Sequence, residues 1–160
     1  DAKDYDNAIR TVNTLANIVG NTDELKALSQ QYAEQKNYQY IKVTCTNKGV
    51  IPKNTNRWIF SNYVTFVFDL TNNSDKAIKG VQGILHINDL FGSSIMDVRC
   101  DFTGHTIQPH ETYTNNDLSY DVNEFSDTDM KLYNEDYSDL NFEYEPTTIV
   151  FTDGTSVVLS

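Results

Sequence analysis

The residues of this chain that could do chemistry are two cysteines, three histidines and an unusually dense run of carboxylates. Cys45 and Cys100 stand 55 residues apart, each in a stretch that alternates apolar and polar residues. A disulfide between them would close a long loop and, in the chain-entropy picture, contribute about 4 kcal/mol. Two buried thiols are the other reading. His86, His105 and His110 are scattered: His86 falls opposite Leu85 and Ile87 on a strand, and the other two flank Pro109. Zinc wants convergent, closely spaced nitrogen and sulfur ligands, and no such spacing is present. Calcium takes oxygen, so Asp127, Asp129, Asp136 and Asp139 are the metal candidates. Lys131, however, sits where a calcium loop would place a third oxygen ligand, and no glycine follows. No nucleophile stands beside a base, and there is no glycine-rich phosphate loop and no helix-borne zinc pair. No catalytic residue and no cofactor are assigned.

Charge narrows the partners. The formal net charge is −11, and between Glu111 and Glu145 eleven carboxylates face one base, Lys131. Such a surface repels phosphate backbones and anionic headgroups, which excludes nucleic acid and direct electrostatic membrane binding. No run of 18 apolar residues exists, so no direct membrane insertion of this chain is expected. The chain starts at Asp1 without Met or a basic-then-apolar leader, as expected of an exported protein whose signal segment is removed, with room for a lipid anchor upstream.

Two kinds of element must position these groups. Residues 1–37 form a helical segment: Ile9, Val12, Leu15, Ala16 and Val19 recur at spacings of three and four, Gly20 follows as a stop, and Asn21-Thr22-Asp23-Glu24 restarts a stripe through Leu25, Leu28 and Tyr32. The pattern fits two short helices or one helix broken near Gly20. Its apolar stripe either packs on the rest of the chain, self-associates or forms a stalk.

Residues 38–160 change to a period of two. Ile41, Val43 and Cys45 share a face of a first strand that ends near Asn47-Lys48-Gly49, and a Pro52-containing loop follows. Val64, Phe66, Phe68 and Leu70, then Val81, Leu85 and Ile87, mark two strands read as a hairpin around Asn72-Asn73-Ser74-Asp75, with a turn at Asp89–Gly92. Met96, Val98, Cys100 and Phe102 form a fourth strand, and Glu111 to Val122 a fifth. Asn123 to Asp139 reads as loop, with a short strand at Met130–Tyr133. Leu140 to Tyr144 and Thr147 to Phe151 read as strands separated by Pro146, and Asp153-Gly154 turns the chain into a last strand. Seven or eight short strands point to an antiparallel, immunoglobulin-like β-sandwich with an N-terminal α-helical segment. Cys45, Trp58 and Cys100 mimic antibody-domain spacing. Val98 stands where that pattern needs tyrosine, and too many strands follow Cys100, so a true antibody-type domain is excluded.

The central stretch also carries a family resemblance. Asn72-Asn73-Ser74-Asp75-Lys76-Ala77-Ile78, Ile87-Asn88-Asp89-Leu90-Phe91-Gly92 and Ile107-Gln108-Pro109-His110-Glu111 resemble the FxLYD-type immunoglobulin-like domains of lipoproteins and secreted proteins of Gram-positive bacteria. Those domains carry an N-x-S-D-K-x-I turn, an F-x-D-x-x-G strand end and a P-G-E turn. Here Ile87 replaces the aromatic and His110 the glycine. Phe151-Thr152-Asp153-Gly154-Thr155 looks like the terminal hairpin of related lipoproteins. The resemblance covers Val64 to Tyr113 well, leaves the helical segment outside, and implies a β-sandwich at the cell envelope with no catalytic residues to carry over.

The expected function is therefore a non-catalytic, extracytoplasmic binding or structural module, secreted or lipid-anchored at the cell surface, whose partner is an envelope protein or glycan. Tyr38, Tyr40, Tyr63, Tyr113, Tyr120, Tyr133 and Tyr137 are its candidate contact residues where they face out, and half-buried strand tyrosines with satisfied hydroxyls are the commoner reading. The alternatives are a carbohydrate-active enzyme or accessory using surface carboxylates, and a calcium-stabilised adhesion domain.

Overall fold

A computed structural model describes residues 4–159; residues 1–3, the start of the helical segment, lie outside it. Helix α1 (Tyr5–Val19) begins at Asp4, whose carboxylate accepts the Asn7 amide, and stops at Gly20 with φ of +96°. Helix α2 (Asp23–Tyr38) is capped by the Thr22 hydroxyl, which accepts from the Leu25 amide. The helices lie against each other, joined by an ion pair between Lys36 and Asp6 at 2.9 Å. No described helix is long and apolar enough to cross a membrane.

Seven strands follow: β1 (Ile41–Ile51), β2 (Tyr63–Asn72), β3 (Ile78–Asp89), β4 (Ser94–Phe102), β5 (Thr112–Asp121), β6 (Leu140–Phe151) and β7 (Ser156–Val158). They form two antiparallel sheets, ordered β1-β2-β5 and β4-β3-β6-β7. The apolar faces read from the sequence are the buried ones. Val64, Phe66, Phe68 and Leu70 meet Val81, Leu85, Ile87 and Phe102 in one core, with Phe68 edge-on to Phe102 at 5.1 Å.

The central pair is not a hairpin. Both edges of β2 are taken, by β1 and β5, and both edges of β3 by β4 and β6. The five residues between them carry the chain from one sheet to the other, because each strand has a fully apolar inner face that buries more by opposing the other than by lying beside it. Asn72 holds this corner. It is completely buried; its Nδ2 donates to the carbonyls of Lys76, Ile107 and Gln108 at 2.8, 3.1 and 3.0 Å, and its Oδ1 accepts from the Ser74 amide and hydroxyl at 3.0 and 2.7 Å. The hairpin in this stretch is β3–β4, turned at Asp89–Ser93, where Gly92 takes φ of +79° and Asp89 Oδ1 accepts the amides of Phe91 and Ser93. The expected β6–β7 hairpin is present, with Gly154 at φ of +83°.

Three other boundaries differ from the sequence reading. Strand β1 continues through Gly49 to Ile51, because a bulge between Cys45 and Asn47 absorbs the break in alternation. Strand β6 runs through Pro146, where a register irregularity opposite Gln82 and Gly83 accommodates a residue with no N–H to donate. The segment expected to be loop and short strand holds helix α3 (Asp127–Asn134). The signal was in the sequence: Ser126 is an N-cap residue whose hydroxyl accepts the Asp129 amide at 3.3 Å, and Asp127 and Asp129 place negative charge in the first turn.

Candidate functional site

Of the chemistry-bearing residues, the cysteines come together. Cys45 on β1 and Cys100 on β4 sit on the inner faces of opposite sheets, buried, and are free thiols. Burial pushes both up to about 12, and for Cys100 the neighbouring Cys45 adds to the rise. As thiols they are poor nucleophiles, since reactivity needs the thiolate.

The four aspartates do not gather. Asp129 is buried and saturated: its carboxylate accepts from the Tyr120 hydroxyl at 2.8 Å, the Asn123 amide at 3.0 Å and the Ser126 hydroxyl at 2.7 Å. Burial acts to raise its pKa, but these donors outweigh it and hold it below the ordinary value. It pins α3 to β5. Asp127 lies in the first turn of α3. Asp136 and Asp139 belong to the turn around Tyr137–Asp139, where Asp136 faces Lys48. Among the described residues, no three His, Cys, Asp or Glu side chains converge as a metal ion requires.

Each histidine meets a carboxylate. His105 lies 3.8 Å from Glu111, and His110 lies 3.2 Å from Asp75. His86, on the outer face of β3, is bracketed by Asp97 of β4 at 2.8 Å and Glu145 of β6 at 3.2 Å. Partial burial works against its protonation, but the two carboxylates prevail and raise its pKa. Glu143 lies opposite it in register, and Glu34 of α2 lines the adjoining cleft. A raised folded pKa means that the protonated bracket stabilises fully below the ordinary value of about 6.5 and is lost as pH rises through the folded value. His86→Gln is therefore expected to lower the unfolding temperature more at pH 5.5 than at pH 9. An equal cost at both would show that the bracket is made by neutral imidazole.

The tyrosines expected as contact residues are largely spoken for. Tyr137 donates to the Cys45 carbonyl at 2.9 Å and Tyr120 to Asp129, while Tyr40, Tyr113 and Tyr133 are only partly exposed and pack on the core. Tyr38 is exposed at 48% and Tyr137 at 37%, but the most exposed aromatics are others: Trp58 at 82%, Phe60 at 61%, Phe91 at 94% and Phe125 at 98%. The fold brings their loops to one end. Strands β2 and β3 join at the Asn72 corner, so the start of β2 and the end of β3 share the opposite end. The β1–β2 loop there is tied to the segment after β5 by Asn62 to Glu124 at 3.0 Å and by the Val122 amide to the Asn62 carbonyl at 2.9 Å. The β3–β4 turn is tied to α3 by Lys131 to Asp89 at 3.4 Å. Trp58 has φ of +61° and stands edge-on to Phe60 at 6.2 Å. A bulky residue in the left-handed region is strained, and strain of this kind clusters at functional sites. One signal in the sequence pointed here: large aromatics inside turn-forming, polar stretches, where no core claims them.

No family model matches the chain, and no curated protein does. Among solved structures it is similar to IrmA from Escherichia coli, at 14% identity and a TM-score of 0.44, over 76% of this chain and 85% of that one. The structural genomics target SoR45 is similar at 13% identity and a TM-score of 0.37, over 75% and 82%. ApaA from Bordetella pertussis is similar at 13% and 0.36, over 75% and 88%. Likenesses at this level carry no argument about what this chain does.

Proposed function

We propose that the chain is a non-catalytic binding module of an exported bacterial protein, an immunoglobulin-like sandwich that contacts a protein or glycan of the cell envelope through its aromatic loop end. The observation that carries this reading is the display of Trp58, Phe60, Phe91 and Phe125 on loops at one end of the sheets. Exposing this much aromatic surface costs solubility, and clustered exposed aromatics mark contact sites. Support for the FxLYD-type relationship comes from His110, which takes φ of +61° where that pattern has glycine.

The test is retention of envelope components by the immobilised protein, beside a glycan panel, compared with a Trp58→Ser, Phe91→Ser, Phe125→Ser variant. These side chains are more than four-fifths exposed, so the variant should fold. A specific component held by the parent and lost by the variant supports the reading; equal retention, or none on either panel, overturns it. Export adds an expectation for the facing cysteines, since an oxidising compartment would join them. Protein taken from its native compartment and denatured without reductant is expected to show no free thiol. Two free thiols would argue for a reducing compartment.

A further inference from the structure

We infer that the aromatic end pairs with the same end of a second copy of this chain, in a two-fold symmetric dimer. This rests on the reading of that end as a contact surface, and it names the partner.

Charge is segregated there. Residues 35–68 hold Lys36, Lys42, Lys48, Lys53 and Arg57 and no carboxylate, although the chain as a whole carries −11. Lys53 and Arg57 stand exposed on the β1–β2 loop, beside Trp58 and Phe60. The segment that leaves β5 is the opposite: Asp121, Glu124 and Asp127 are exposed around Phe125, with no base among them. Asn62 holds the two side by side, its Oδ1 accepting the Lys53 amide at 2.7 Å and its Nδ2 donating to Glu124 at 3.0 Å. Yet the opposite charges do not pair within the chain. Among the described residues, the Lys and Arg ion pairs are those of Lys26, Lys36, Lys76, Arg99 and Lys131, and Lys53 and Arg57 are in none.

A two-fold axis turns a basic and an acidic patch lying side by side into a matched pair, because the rotation sets each over its opposite on the other copy. A partner of a single charge sign would meet attraction on one side and repulsion on the other. The apolar part is of the right size. An aromatic side chain offers roughly 150–250 Å². Trp58, Phe60, Phe91 and Phe125 at their exposures, with Leu90 beside Phe91, therefore supply most of the about 800 Å² that each partner buries in a standard interface. Pairing covers them inside a rim of charge pairs, the arrangement of a stable protein contact.

The test is sedimentation velocity of the whole chain over a range of concentrations, with charge-reversed variants. The parent is expected to form a dimer that weakens as salt is raised. Lys53→Glu with Arg57→Glu makes the end acidic throughout, and Asp121→Lys with Asp127→Lys makes it predominantly basic. All four side chains are exposed, so both variants should fold. Each alone should weaken dimerisation by about ten-fold or more. An equimolar mixture of the two should restore the dimer, since each supplies the charge the other lacks, and a loss of stability cannot produce that rescue. A parent that stays monomeric, variants that dimerise as the parent does, or a mixture that stays monomeric overturns the pairing. The envelope-retention comparison separates this from the reading beneath it. A monomeric parent whose aromatic variant still loses an envelope component overturns the second copy as partner and leaves the contact surface standing.

Discussion

Gly83→Ala is expected to lower the thermal unfolding midpoint by roughly 10 °C, although glycine sits in the middle of a strand where alanine would ordinarily be preferred. A Cβ at Gly83 would run into the Glu145 carbonyl and the ring of Tyr144. Tyr144 is the reason. From β6 its side chain passes over β3 at Gly83, and its hydroxyl donates to the Cys100 carbonyl on β4 at 2.8 Å. One residue thereby links three neighbouring strands, and the path exists only because position 83 has no side chain. Overpacking of this kind costs about 1–3 kcal/mol where neighbours can yield; here one neighbour is backbone, which places the cost at the upper end. Replacing Tyr144 by Leu in the Gly83→Ala background should recover part of the loss, because the ring leaves and the carbonyl stays. Tyr144→Phe alone, which keeps the ring and removes one hydrogen bond, should cost about 1 kcal/mol. Urea titration of the three variants reads all of this, and a harmless Gly83→Ala would mean that β6 can move away from β3.

Asn72→Ala is expected to be as damaging, by a different route. The amide serves five polar groups at the crossing between sheets, and its own backbone N–H donates to the Glu111 carbonyl at 2.9 Å. Alanine removes one donor from each of the carbonyls of Lys76, Ile107 and Gln108, which keep the Ser74 hydroxyl, the Ile78 amide and the Glu111 amide respectively, and it strips Ser74 of its acceptor. The five lost hydrogen bonds are worth about 0.5–1.5 kcal/mol each, so a loss of about 3 kcal/mol or more is expected. Asn72→Asp separates packing from hydrogen bonding, since it keeps the shape but turns an acceptor toward three carbonyls. It should be no better than alanine. If both variants unfold near the parent midpoint, the corner is held by its apolar neighbours.

Asn72 also marks where reading the chain alone runs out. Asn72-Asn73-Ser74-Asp75 declares a change of direction through residue types that bond their own backbone, and the structure has one there. Whether the chain folds back beside itself or crosses to a second sheet depends on which strands occupy the edges of β2 and β3. Those partners lie elsewhere in the chain. Strand periodicity is local, and so the buried faces of β2, β3 and β4, the helical stripe ending at Gly20 and the Asp153-Gly154 turn were all legible. Helix α3 is legible too, from the N-cap Ser126 and the aspartates Asp127 and Asp129 of its first turn.

The candidate sites divide in the same way. The sequence determined that this chain is acidic, mainly β with a helical start, and supplied with aromatics beyond one core, because composition and alternation act residue by residue. Only the tertiary structure decided which aromatics are exposed. It also decided that Asp129 is spent on holding a helix, that His86 lies between two carboxylates, and that Glu34 and Asn37 of the first segment face Glu143 and Glu145 of the last. The last of these joins residues more than a hundred positions apart and His86 meets Glu145 across 59, and both follow from sheet order and helix docking, which minimise exposed apolar area over the whole chain and leave no mark on any single stretch of it.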